Sequence, residues 1–385
     1  MATKYSAVEF SLLGGPFYRM GSRLGLVRDD NSVALGICIG LLLWVVLIAL
    51  ALIGGVGGSI FSLGLIGAHV RLLVVIPLMF VSETVLNTRM AAFASGLERR
   101  GIVPEDQVPA LHAIVARVNR WKNSWLLEAI CLLVAVLMAF GVTSLDTSGN
   151  TAAISTDRIA AGGVWAAWWY LFVCLPVFRF LLVRTVLRAV LWAYFLWCVS
   201  RLKLRLFSIH PDGAAGLGGL VSVQMQFLPL VMAFAILRSA QFAEEISSGT
   251  MNLDAIYPGI AVAILLNLGF VIGPVLFFSP KLWRCRLDGL GDYMAFAEDY
   301  VAQFDRKWVK SAQRDEPLLG TPDIQSLADL SNSVQIVLKM RLAPTNMRVL
   351  TYVIGAVAVP MLPLALFRFP LSEIAKKLVT DLIGL

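Results

Sequence analysis

The sequence predicts an all-α protein: a polytopic transmembrane helical bundle of about seven spans, N-terminus inside and C-terminus outside, with helical cytoplasmic extensions. Three observations predict it. Mean hydropathy is +0.78, with 58% of residues hydrophobic and 15% charged. Seven apolar runs occupy 33–55, 65–87, 124–145, 164–184, 216–238, 256–279 and 347–368. Each reaches ~20 residues, enough at ~1.5 Å per residue to cross a ~30 Å hydrocarbon core. Lys and Arg then gather on alternate connections, 25 on one set against 5 on the other, which is the asymmetry of a positive-inside topology. The net charge of +7 is therefore read as a topology signal and not as a nucleic-acid footprint.

Residues 1–31 are expected to lie in the cytoplasm. Phe17, Met20, Leu24 and Val27 recur at helical spacing between Arg19, Arg23 and Arg28, the pattern of an interfacial helix. The first run starts too late and runs too long for a cleaved signal peptide, so it reads as an uncleaved span. Residues 32–280 hold the first six spans. Between the second and third, Leu111, Ile114, Val115 and Val118 mark a cytoplasmic helix running into the third span near Trp121–Trp125. No glycine occurs between Gly163 and Gly213 and no proline between Pro176 and Pro211, so one helix from about 164 to 206 is expected, its second half projecting into the cytoplasm.

Residues 281–346 form the cytoplasmic helical region. Leu290, Tyr293, Ala297, Tyr300, Phe304 and Trp308 make one helical face. Thr321-Pro322-Asp323 then starts a second helix: a capping hydroxyl, proline at the first position and an acid in the first turn. With the projecting fourth span these helices are expected to build a collar. Residues 347–369 are the seventh span. Residues 370–385, with Leu371, Ile374, Leu378 and Leu382 in register, read as an external amphipathic helix.

Several function classes are excluded. The five cysteines are scattered, with no C-x-x-C pair, and there are three histidines (His69, His112, His210), so neither a disulfide framework nor a metal centre is expected. No G-x-S-x-G or H-E-x-x-H occurs, and no catalytic residues or cofactors are assigned.

Four features carry candidate binding or gating residues. His210-Pro211-Asp212-Gly213, continuing through Gly216 and Gly218, sets glycines ahead of the fifth span. Their N–H groups would receive an anionic lipid headgroup or small anion, or the loop simply stops one helix, caps the next and packs closely. Ionisable groups at membrane depth come next: Glu83, Glu128 and Arg179 fall at similar depth, with Glu128–Arg179 the preferred pair, either lining an ion path or fixing helix registry. Arg71, with His69, is placed at the outer mouth of the second span, where an interfacial anchor is the plainer reading. Prolines at depth (Pro77, Pro176, Pro229, Pro274, Pro360, Pro363) bend spans and free carbonyls. Gly36–Gly40 and Gly269–Gly273 read as close helix packing.

The His210-Pro211-Asp212 loop with its glycines, the stretch Thr321-Pro322-Asp323-Ile324-Gln325-Ser326-Leu327-Ala328-Asp329, and Trp168-Trp169-Tyr170 followed by Leu175-Pro176 resemble a group of uncharacterised bacterial polytopic inner-membrane proteins. That group tends to carry Arg or Gly after the aspartate; Gly213 stands here. The resemblance implies topology and a bacterial inner membrane, and no chemistry.

The function expected is a channel or transporter for a small solute or ion, in lipid and as a homo-oligomer. The alternative is a non-transporting sensor or assembly protein whose cytoplasmic helices bind a partner. The layout is similar to that of insect-type seven-helix ligand-gated channels. On that likeness the last span would line a pore, with Pro360 to Pro363 as an apolar gate.

Overall fold

The computed structural model describes residues 10–12, 14–15, 32–55, 60–140, 164–310 and 322–367. The described residues are helical, with no strand among them. They form α1 (Ser32–Ile53), α2 (Leu63–Arg99), α3 (Val108–Lys122), α4 (Trp125–Phe140), α5 (Val164–Arg201), α6 (Gly219–Ser247), α7 (Ile256–Val309), α8 (Pro322–Leu338) and α9 (Met347–Phe367). Six of these, α1, α2, α5, α6, α7 and α9, are long and apolar enough to cross a bilayer. Counting the bent pair α3–α4 as one span gives seven. This is the make-up of a multi-pass membrane protein. The helices proposed for 16–28 and 370–385 lie outside the described residues, as does the end of the third run.

Two boundaries differ from expectation. α3 does not run on into α4: the chain breaks at Asn123–Ser124 and turns by 47°. Ser124 there accepts the Glu128 N–H at its carbonyl, which restarts the helix. α5 is continuous as predicted but ends at Arg201, where Leu202 turns to an extended backbone. The Lys281 ammonium of α7 binds the Leu202 carbonyl, and that contact holds the extended exit.

The prolines explain where helices deform. Pro77 and Pro176 each follow a π-turn, Arg71–Val75 and Tyr170–Cys174. Proline lacks an N–H and its ring crowds the carbonyl four residues back, here Leu73 and Phe172, so the ladder widens at that place. Pro274 and Pro363 sit in the tighter 3-10 turns Gly273–Phe278 and Leu362–Phe367. Pro229 opens the longer segment of α6, and Pro360 lies inside α9, where Ser239 of α6 donates to its carbonyl at 2.7 Å.

α1 packs on α2, α4 on α5, and α6 against both α2 and α9. The predicted small-residue contact at Gly36–Gly40 is present: a methyl at Gly40 would meet the Leu72 carbonyl oxygen at 2.2 Å and one at Gly36 the Phe80 ring at 2.7 Å. Gly269–Gly273 is not such a contact, since nothing lies within 4 Å of either position. Gly259 takes that role instead, pressed on Phe242.

Past its apolar part, α7 pairs with α8. Trp308 Nε1 and Lys307 Nζ both donate to the Asp323 carboxylate, at 3.0 and 2.9 Å, and the Tyr300 hydroxyl donates to the Asp323 carbonyl. The Lys307 and Trp308 donors hold the Asp323 carboxyl below its ordinary range. The predicted face thus meets the predicted helix start.

Candidate functional site

Two groups of charged side chains are buried, one near each end of the membrane-length helices. The first joins α2, α5 and α6. Arg71 Nη1 donates to the Tyr170 hydroxyl at 2.5 Å, and the Gly67 N–H donates to Glu244 at 2.7 Å. Arg71 is 3% exposed and Glu244 2%. This corrects the interfacial-anchor reading of Arg71: the π-turn that begins there swings its side chain inward. His69, two residues earlier, accepts the Trp44 indole N–H at Nδ1 and donates from Nε2 to the Ile60 carbonyl, which fixes its tautomer.

The second group lies at the opposite ends of α2 and α5 and includes α4. Glu83 pairs with Arg188, and Glu128 with Arg184 at 3.9 Å. The preferred partner of Glu128 was Arg179; instead Arg179 donates to the Met138 carbonyl, ten residues along α4 and so ~15 Å from Glu128. The spacing explains the switch. α4 runs antiparallel to α5, and arginines at 184 and 188 fall on one α5 stripe facing both acids.

A segment expected only to rest on the membrane surface enters this second group. Phe10 and Leu12 are buried, Phe10 against Trp192 and Phe195. Asn87 accepts from the Ser11 hydroxyl and the Leu12 N–H, and Lys122 donates to the Ser11 carbonyl. Arg184 and Arg188 both donate to the Gly14 carbonyl, at 3.2 and 2.9 Å. Gly14 and Gly15 have φ of +118° and +110°. Gly15 has no room for a side chain: a methyl would meet Glu128 Oε1 at 2.2 Å. The Gly-Gly pair was the sequence signal for this inward turn.

Three cavities adjoin α5 and α6, the first on the α2 side and the other two on the α7 side. A small one of about 30 Å³, room for one water, touches Glu83, Arg188 and Phe227. The next, about 160 Å³, lies across Phe227 and is lined by Gln224. Beyond Phe270 a groove of about 770 Å³ opens between α6 and α7, lined by Arg238, Gln241 and Asn267. Phe227 and Phe270 meet edge to face with centroids 5.6 Å apart, so one aromatic ring separates each space from the next. Gln224 is 2% exposed and neither end of its amide meets a protein partner. Asn267 is 7% exposed; its Nδ2 donates to Ala263, and its Oδ1 has no partner. Buried amides left open in this way are rare and call for a bound group. Neither was singled out by sequence, because an isolated Gln or Asn in an apolar run gives no periodic signal.

The loop at 210–218 is closed on itself. Asp212 accepts the N–H groups of Ala214, Gly216 and Gly218 at 2.8, 3.2 and 2.7 Å, and His210 Nδ1 lies 2.9 Å from its Oδ1. Burial alone would raise the Asp212 carboxyl; the three backbone donors and His210 outweigh it and hold it below the ordinary range. Gly213, Ala215 and Gly216 take positive φ to aim those donors. The N–H cradle thus holds the loop's own carboxylate. Beside it a cavity of about 120 Å³ is flanked by Arg89, Arg100 and Ser222.

On α9, Val349, Val353, Val357 and Met361 form the buried stripe, while Tyr352, Val359, Leu362 and Leu366 are exposed. Among the described residues no group of three or more His, Cys, Asp or Glu is placed to hold a metal ion. Comparison of the chain with protein-family models, with curated proteins and with solved structures returned no match.

Proposed function

We propose that this chain is a channel or transporter that passes a small solute or ion across a bacterial inner membrane, as a homo-oligomer with its N-terminus in the cytoplasm. The observation that carries the reading is the series of cavities from Glu83–Arg188 past Gln224 to Asn267, each closed from the next by Phe227 or Phe270. Buried polar groups strung through an apolar interior, the Gln224 amide among them with no protein partner, are what a passing hydrated or hydrogen-bonding species requires. The aromatic rings between them would act as apolar gates. An anion or lipid headgroup at the inner surface would occupy the cavity beside Arg89 and Arg100 and leave the Asp212 cradle as it is. The test is flux from proteoliposomes loaded with a panel of small ions and solutes. Phe227→Ala should raise leakage of at least one of them, and Gln224→Leu should suppress it. Equal flux from protein-free vesicles and from both variants would end the reading.

A second reading, a membrane assembly protein, is favoured by one observation. Trp283, Leu287, Met294 and Val301 stay exposed along α7 at heptad-like spacing after α8 has packed. It predicts that Leu287→Asp combined with Met294→Asp shrinks the assembly extracted in detergent and leaves flux unchanged.

A further inference from the structure

The groove between α6 and α7 has the shape and chemistry of a site for a chain-like molecule. The two helices touch at one end through Phe242 on Gly259 and at the other through Phe227 on Phe270, and stand apart between. Its volume of about 770 Å³ falls in the range of small-molecule sites. The walls are apolar: Phe234 and Leu237 on α6, Val262 and Leu266 on α7.

Arg238 decides what the groove accepts. A hydrocarbon segment of ~20 residues placed anywhere along the 29-residue α6 includes this position. Its side chain nevertheless remains 29% exposed. It donates to Gln241 at 3.1 Å and pairs with Glu245 at 3.9 Å, while its guanidinium lies over the Phe242 ring. That stacking presents a planar cation with further N–H donors at the groove wall. A cation so placed in lipid is costly, and the single contact to Glu245 at 3.9 Å offsets only part of that cost, leaving room for a second anion.

We infer that the groove binds a single-chain amphiphile with an anionic head. The carboxylate or phosphate sits on Arg238 and Gln241, and the acyl tail lies along Val262 and Leu266. The inference rests on the groove as the open end of the proposed route. Labelling in detergent micelles reports binding alone, so a failed flux assay and a failed labelling assay are distinguishable.

The experiment is photolabelling of the full chain with a diazirine-bearing palmitic acid, its methyl ester and the corresponding lysophosphatidic acid, followed by peptide mapping. The acid, the phosphate or both should label peptides covering 234–241 and 258–270, with the ester weaker by about tenfold, the factor expected of one charge-assisted contact. Which of the two heads labels more strongly separates a fatty-acid from a phospholipid source. Arg238→Gln should reduce labelling by the acid about tenfold. Val262→Trp, which leaves every charge in place and fills the groove, should abolish it. Equal labelling by acid and ester, or labelling that survives Val262→Trp, overturns the proposal. So does a disulfide between two copies bearing Val262→Cys, which would mean that a second copy fills the groove.

Discussion

Arg71 donates to the Tyr170 hydroxyl at 2.5 Å, and each of these two residues is the first of a π-turn set up by a proline six positions later. The widened turns rotate both side chains to the interior, where Glu244 is also buried and accepts the Gly67 N–H. Tyr170→Phe removes an acceptor from a buried guanidinium. It should cost about 1–3 kcal/mol and lower the thermal midpoint in detergent. A midpoint equal to that of the parent would mean that the contact contributes nothing to the fold.

The Glu83–Arg188 pair joins α2 to α5 in a water-poor setting. Arg188→Met leaves a buried carboxylate uncompensated and also releases the Gly14 carbonyl, so a loss of about 3–5 kcal/mol is expected. Glu83→Gln with Arg188→Met should recover part of that loss. A double-mutant cycle in denaturant checks the coupling, and additive losses would contradict it.

Gly15→Ala meets both a positive φ and the Glu128 carboxylate. It should cost about 1–3 kcal/mol and loosen the segment at 10–15, seen as faster hydrogen exchange at Leu12. Unchanged exchange would show that the segment is not held there.

Asp212 supplies a pH signature. Its carboxyl is held below the ordinary value in the folded chain, so its contribution is complete above the unfolded value near ~3.9 and fades as pH falls through the folded value. Limited proteolysis of the 210–218 loop should accelerate below about pH 4. Asp212→Asn should accelerate it at neutral pH and flatten the dependence. A loop equally resistant at pH 3 and pH 7 would contradict this account.

Much of the fold was legible because hydropathy and length report directly on spans. α1, α5 and α9 begin within one residue of their apolar runs. Pro322-Asp323 marked the start of α8 because capping chemistry is local. Gly36–Gly40 and Gly269–Gly273 show the limit: the same pattern is a contact in one place and open in the other, since spacing says nothing about the neighbour. The charges show it again. Glu83, Glu128 and Arg71 were recognisable as costly, but their partners Arg188, Arg184 and Tyr170 depend on π-turns and on the α4–α5 packing. Gln224 and Asn267 became visible only as buried amides, the first with both polar atoms open and the second with its oxygen open.

The central claim is that the spaces beside Gln224 and Asn267 belong to one route open to small polar species. In a chain with Cys38, Cys131, Cys174, Cys198 and Cys285 replaced, Gln224→Cys and Asn267→Cys should each react with a small water-soluble thiol reagent in vesicles. Val231→Cys, at a fully buried apolar position, should not. Phe227→Ala should speed the reaction at position 224. If Gln224→Cys is as inert as Val231→Cys with or without Phe227, the route does not exist.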